Sequence, residues 1–189
     1  PHGLNHNMYK PISESDELYQ KFYNEIKVKN NVDFVVFWNN RNIRRKQPGD
    51  VILAFKHFRD MLPKDKQDRV ALVMHTQAVD NNGTDLRAVS QCVAPKCKVI
   101  FSERKISTAE LNAMYNIADV TVNIASNEGW GLSSTESLLA GTPIINNVTG
   151  GLQDQCGFLD ENDKWIGFDT KFSTNHKGRY KLNHGKWAI

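Results

Sequence analysis

The chain has 189 residues, of which 40% are hydrophobic and 24% are charged, and its formal net charge is +3. This balance is typical of a globular protein of one domain or slightly more, and it excludes a disordered chain. The small net charge gives no support for nucleic-acid binding, and no apolar run reaches the roughly 18–20 residues of a membrane span.

The N-terminal sequence, PHGLNHNMYK, has neither an initiator methionine nor the apolar core of a signal peptide. We therefore expect a piece of a longer cytoplasmic polypeptide, with peripheral attachment to a membrane as an alternative. Cys92, Cys97 and Cys156 are odd in number and lack the spacing of a zinc site, so we expect free thiols. His2 and His6 are too few to form a metal site, and we expect no metal.

Apolar and amphipathic segments alternate along the chain, beginning with a predicted amphipathic helix at 13–28. The valine- and phenylalanine-rich run VDFVVFWN predicts a buried strand at 32–39. A helix at 48–62, started by Pro48, precedes the strand RVALVMHT at 69–76. A short helix is then predicted at 85–93.

The second half of the chain continues this alternation. The strand CKVIFSE at 97–103 precedes a helix at 107–118 that opens with the capping box Ser107–Glu110. A strand at 119–125, a helix at 132–141 and a strand at 142–147 follow. Five strands alternating with helices predict an α/β fold with a Rossmann-like, doubly wound parallel sheet.

A basic cluster, RNIRRK, follows the first predicted strand. Ligands of such sheets bind at the carboxyl ends of the strands, which places this cluster at the binding edge. Arg41 and Lys46 have a spacing suited to holding a diphosphate, whereas Arg44 and Arg45 are expected to be surface charges. The alternative is a solvated basic turn.

The stretch EGWGLSSTE at 128–136 follows the fourth predicted strand and lies on the same edge. Residues 129–133 would present free N–H groups to an anion, and two carboxylates would accept hydrogen bonds from vicinal hydroxyls, which fits a sugar–phosphate–ribose ligand. The alternative is a loop with a capping Glu128 and a solvated Glu136. NVTGG at 147–151 adds a third flexible loop, or an ordinary turn, on this edge.

Together these segments resemble the C-terminal, donor-binding domain of GT-B fold glycosyltransferases of the retaining, group 1 type. Glu128 to Glu136 resembles the family's E-x7-E motif, usually written E-G-F-G-L-x-x-x-E, with Trp130 in place of the phenylalanine. Arg41 and Lys46 match its Arg-x4-Lys pair, and PHGLN resembles its interdomain linker. The resemblance covers about residues 1–155.

The resemblance implies a hexosyltransferase that uses a GDP-, UDP- or ADP-sugar, retains the anomeric configuration and needs no metal or other cofactor. It implies that Arg41 and Lys46 hold the diphosphate, that Glu128 contacts the transferred sugar, and that Glu136 binds the ribose. The base is expected near Ser102–Ile106. The other implied donor-binding residues are Gly129, Trp130, Gly131, Leu132, Ser133, Gly150 and Gly151.

The resemblance also divides the chain into parts. Residues 1–30 correspond to the interdomain linker and first helix, 31–160 to the nucleotide-sugar-binding Rossmann-like domain, and 161–189 to an irregular C-terminal segment. The family's acceptor-binding N-terminal domain is absent, so the expected partners are that domain, the donor, and a glycan, protein or small-molecule acceptor. A nucleotide-sugar epimerase of the same fold and a non-catalytic binding module are the alternatives.

Overall fold

The computed structural model describes residues 3–152 and 155, together with short strands at 158–159, 165–166 and 187–188. Within these residues the α-helices are Glu17–Phe22 (α1), Pro48–Met61 (α2), Leu86–Val93 (α3), Thr108–Ile117 (α4) and Leu132–Leu139 (α5). The strands are Phe34–Asn39 (β1), Val70–His75 (β2), Lys98–Ser102 (β3), Val120–Asn123 (β4), Ile144–Asn147 (β5), Phe158–Leu159 (β6), Trp165–Ile166 (β7) and Trp187–Ala188 (β8). His2, Cys156 and most of the 161–189 segment lie outside the described residues.

The predicted helices and strands between residues 13 and 147 are confirmed, with small shifts at their ends. The first helix starts later than expected because Asp16 is its N-cap, accepting from the backbone N–H of Leu18 at 2.8 Å. After Phe22 the helix continues as a π-helix over Tyr23–Val28. The capping box of α4 is present, with Glu110 accepting from the Ser107 N–H at 3.0 Å.

The main sheet has the strand order β3-β2-β1-β4-β5-β8. The β1–β2, β2–β3, β1–β4 and β4–β5 pairs are parallel, and β8 pairs antiparallel to β5. The segment for which no regular structure is expected therefore contributes an edge strand. The order reverses between β1 and β4, as in a doubly wound sheet, which confirms the predicted α/β fold.

The strand β1 lies at the centre of the core, between β2 and β4. Its side chains alternate between the two faces of the sheet, and helices cover both faces. Val35 and Phe37 belong to the cluster packed under α1 and α4, whereas Val36 and Trp38 belong to the cluster packed under α2 and α3. None of these four side chains is more than 7% exposed. Burial on both faces explains why the run is continuously apolar. The residues that follow β1 lie at the carboxyl edge of the sheet.

Candidate functional site

A cavity of about 420 Å³ opens at the carboxyl edge of the sheet, between the loop after β1 and the loop before α5. It lies where β1 meets β4, the point at which the strand order reverses. Every residue predicted to bind the diphosphate, the sugar or the ribose lines this cavity, except Gly150 and Gly151. The full lining is Asn39, Asn40, Arg41, Arg45, Lys46, Glu128, Gly129, Trp130, Gly131, Leu132, Ser133 and Glu136.

The carboxylate of Glu128 is buried and is held between two cations. Lys46 Nζ contacts Glu128 Oε1, and Arg45 Nη1 lies 3.2 Å from Oε2. Asn123 Nδ2 donates to Oε1 at 3.2 Å. A carboxylate that is only 5% exposed needs such partners, because desolvation of an unpaired charge is costly. Glu128 is therefore bound by side chains of the site, and the alternative in which it caps the helix is wrong.

Lys46 is almost as buried as its partner, with 8% of its surface exposed. Burial lowers the pKa of Lys46, and the hydrogen bond and charge of Glu128 oppose that effect. The side chain does not belong to a solvated basic turn, which corrects that alternative. An anionic ligand in the cavity would compete with Glu128 for this ammonium group.

Arg45 is exposed, as predicted, but it also contacts the site. Its Nη1 donates to the Asn127 carbonyl oxygen at 2.9 Å as well as to Glu128, and its side chain lines the cavity. The reason is the 3-10 turn at Arg44–Lys46, which places Arg45 and Lys46 beside the same carboxylate. The sequence reading missed this because the geometry of the turn was not visible in the spacing.

Arg41 also lines the cavity but takes a different partner. Its Nε lies 3.0 Å from Asp80 Oδ2, and its side chain is 62% exposed. The hydrogen bond from Arg41 lowers the pKa of Asp80. Two predicted diphosphate ligands, Arg41 and Lys46, are thus brought to one cavity, and in this structure each is paired with a carboxylate.

Glu136 lies one turn inside α5 and is buried, so the alternative in which it is solvated is wrong. The Tyr115 hydroxyl donates to Glu136 Oε2 at 2.7 Å. Asn39 Nδ2 lies 3.4 Å from the same oxygen and 2.9 Å from the Tyr115 oxygen. Burial, followed by the charge of Glu136, raises the pKa of Tyr115 well above its ordinary value. Tyr115 therefore keeps its proton and acts as the donor.

The N-terminus of α5 points donors toward the cavity. Gly131 is the N-cap with a φ of +86°, a conformation that favours glycine, and no side chain caps the helix there. The first N–H groups of a helix lack intrahelical acceptors. Ser133 Oγ and Asn40 Nδ2 are buried without a hydrogen-bond partner among the described residues. Unpaired donors of this kind suit a ligand rich in oxygen acceptors.

Gly150 and Gly151 lie behind the loop and do not line the cavity. The Gly151 N–H donates to the Glu128 carbonyl oxygen at 2.9 Å. A Cβ atom at position 151 would meet the Gly129 carbonyl and approach Trp130 Cα to 2.7 Å. These glycines allow the NVTGG loop to pack directly on the backbone of the 128–130 segment. Their direct contact with a donor stays a prediction.

The structure adds Asn39, Asn40, Arg45 and Tyr115 to the predicted site. Asn39 and Asn40 directly follow the first strand, a position that could have indicated them. Tyr115 gave no signal, since its helical spacing with Leu111 and Met114 is that of a core residue. The expected base-binding stretch lines a separate cavity of about 340 Å³ that includes Ser102, Glu103 and Arg104.

The described residues contain no group of three or more His, Cys, Asp or Glu side chains that could hold a metal ion. Cys92 and Cys97 are free thiols. Across the same part of the chain, none of the helices has the length and apolarity needed to cross a membrane.

Comparison with known sequences gives a family. The sequence pattern described as Glycosyl transferases group 1 matches residues 20–162. The alpha-monoglucosyldiacylglycerol synthase of Acholeplasma laidlawii is 27% identical over 147 residues, which are 77% of this chain and 34% of that protein. The chain thus spans about a third of the length of this curated relative.

Comparison with solved structures gives the fold. The C-terminal domain of a glycosyl transferase group 1 family protein (LpcC) from Francisella tularensis superposes with a TM-score of 0.63 at 17% identity, covering 97% of this chain and 94% of that one. The Anabaena protein HepE, solved in complex with UDP-glucose, gives 0.60 at 19% identity, covering 79% and 38%. The fold is that of the C-terminal half of GT-B glycosyltransferases, and the chain belongs to the Glycosyl transferases group 1 family.

Proposed function

We propose that this chain binds a nucleotide-diphospho-sugar and forms the donor half of a retaining, metal-independent glycosyltransferase. The observation that carries the proposal is the single cavity that joins a cationic loop, an uncapped helix N-terminus and two buried carboxylates. Lys46, Arg45 and Arg41 bring three cations to the cavity, and Glu128, Glu136 and the Asp80 partner of Arg41 bring three carboxylates. This arrangement suits a diphosphate with hydroxylated groups on either side of it.

Each part of the donor has a candidate partner in the cavity. The diphosphate would displace Lys46 and Arg41 from their carboxylates and accept N–H groups at the start of α5. Glu136 would accept from the ribose hydroxyls, and Glu128 from those of the transferred sugar. When the bond between the sugar and the diphosphate breaks, these cations and the helix N-terminus would stabilise the developing negative charge without a metal ion.

The transfer itself needs an acceptor site, which we assign to an N-terminal domain outside this sequence. The name of the Acholeplasma relative indicates a glucosylated lipid product, and HepE was solved with UDP-glucose. These names make UDP the first nucleotide to test. The predicted acceptor is still a glycan, a protein or a small molecule.

Calorimetric titration of the 189-residue chain with UDP, GDP and ADP, without added metal, tests donor binding. One nucleotide should bind. Lys46→Ala should lower the affinity for that nucleoside diphosphate about ten- to hundredfold, which corresponds to the loss of one hydrogen bond to a charged group. The free nucleoside should bind the variant and the wild type equally.

Arg44→Ala is the matched control, because Arg44 belongs to the same turn but does not line the cavity. It should leave the affinity unchanged. Absence of binding at millimolar nucleotide by the folded chain would contradict the proposal. The retaining step is tested separately, from the anomeric configuration of the product formed by a polypeptide that also carries the acceptor domain.

A further inference from the structure

The Tyr115 side chain is the least expected member of the site, because it lies on a helix that otherwise serves the core. It is fully buried, and its ring packs edge-on against Phe37 at 5.1 Å and against Tyr9 at 6.2 Å. These contacts hold the ring in place from two sides. The Tyr115 hydroxyl is therefore delivered to Glu136 by a rigid group.

Among the described residues, the Glu136 carboxylate interacts with three side chains. Tyr115 Oη and Asn39 Nδ2 both contact Oε2, at 2.7 and 3.4 Å. Burial, together with the charge and a hydrogen bond of Glu136, raises the pKa of Tyr9, which places Tyr9 beside the same carboxylate. A carboxylate has about four acceptor positions, so the group keeps acceptor capacity for a ligand. Glu136 and Asn39 line the cavity, whereas Tyr115 does not.

We propose that Tyr115 is a positioning residue that fixes Glu136, and that this orientation makes the site prefer ribonucleotides to nucleotides without ribose hydroxyls. The inference rests on the proposed role of Glu136 at the ribose. A carboxylate held in one orientation accepts from vicinal hydroxyls without losing further rotational freedom on binding. A freely rotating Glu136 would lose rotational freedom on binding, which would weaken its hydrogen bonds to the ligand. This weakening would affect only ligands that carry the ribose hydroxyls.

The test compares Tyr115→Phe with the wild-type chain, using the one of UDP, GDP and ADP that binds and its 2′,3′-dideoxy analogue. The variant should lose about three- to tenfold in affinity for the ribonucleotide, the range of one hydrogen bond, and should bind the dideoxy analogue as the wild type does. Tyr19→Phe is the matched control, since Tyr19 stacks on Tyr23 away from the cavity. Its affinity for both ligands should be unchanged.

Asn39→Ala provides a second variant if Tyr115→Phe does not fold, because it disturbs the same oxygen of Glu136 from the half-buried end of β1. It should reduce the preference for the ribonucleotide in the same direction. An equal loss for both ligands, or an unchanged preference in a folded variant, would show that Tyr115 has a structural role alone and would overturn the inference. If the wild-type chain bound no nucleotide, the proposed function would fail and this inference with it.

Discussion

Arg44 and Arg45 are adjacent in sequence but differ in what they contact. Both side chains are exposed, but only Arg45 lines the cavity, where it donates to Glu128 and to the Asn127 carbonyl. Arg45→Ala should weaken nucleoside diphosphate binding about three- to tenfold, a modest effect because its side chain is half exposed. Calorimetric titration measures this, with Arg44→Ala as the control. Equal affinities for the two variants would contradict the assignment of Arg45 to the site.

Two glycines at the EGWG motif and in the loop after β5 differ in the room around them. Gly129 faces open space that a ligand could occupy, whereas Gly151 is packed against the backbone. A Cβ atom at Gly129 would meet nothing within 4 Å, whereas one at Gly151 would collide with the backbone of the 129–130 segment. Gly129→Ala should therefore keep the free energy of unfolding within about 0.5 kcal/mol and lower the donor affinity. Gly151→Ala should lower the free energy of unfolding by about 1–3 kcal/mol.

Urea unfolding of the two glycine variants measures the free energy of unfolding, and nucleotide titration measures the affinity. If Gly129→Ala bound the nucleotide and its sugar conjugate as tightly as the wild type, the ligand would not approach this stretch of backbone. That result would remove Gly129 from the donor site without affecting the account of Gly151.

At the scale of single elements, we expect the N-terminus of α4 to make the stability of the fold depend on pH. Hydrogen bonding from the Ser107 N–H, aided by Lys21, lowers the pKa of Glu110 from 4.5 to about 2. Because the pKa is lower in the folded state, the contribution of the charged carboxylate is present above pH 4.5 and is lost as the pH falls toward 2. Glu110→Gln should thus be less stable than the wild type above this window, and the difference should shrink within it.

Denaturant unfolding of both chains across that pH range measures the difference. The control is Glu14→Gln, an exposed glutamate in the turn before α1. A difference between wild type and Glu110→Gln that did not change with pH would show that the charge of Glu110 contributes nothing at this cap.

The elements were predictable from sequence where local physics determines them. The run at β1 is apolar because both of its faces are buried, and α4 begins at a capping box that is complete within four residues. The cavity was predictable because the carboxyl ends of parallel strands share an edge. Tyr115 was not predictable, because its hydroxyl meets a partner that the chain brings from 21 positions away, on another helix.

At the scale of the whole molecule, the site exists only when both halves of the sheet have assembled. Asn39 and Lys46 come from the first half, and Glu128 and Glu136 from the second. A ligand of this cavity would bind the folded chain and not the unfolded one, so it should raise the melting temperature as its concentration increases. Scanning calorimetry should show this rise for one nucleotide, with Lys46→Ala reducing it and Arg44→Ala leaving it unchanged.

The central position of β1 has a consequence for how the chain is made. Among the strands that the structure describes, β1 is synthesised first, yet its two neighbours begin only at Val70 and Val120. Until β4 is synthesised, one edge of an apolar strand has no partner, and such an edge is a template for aggregation. A strand that is buried on both faces of the finished sheet is therefore one that we expect to need protection from aggregation while the chain is being synthesised.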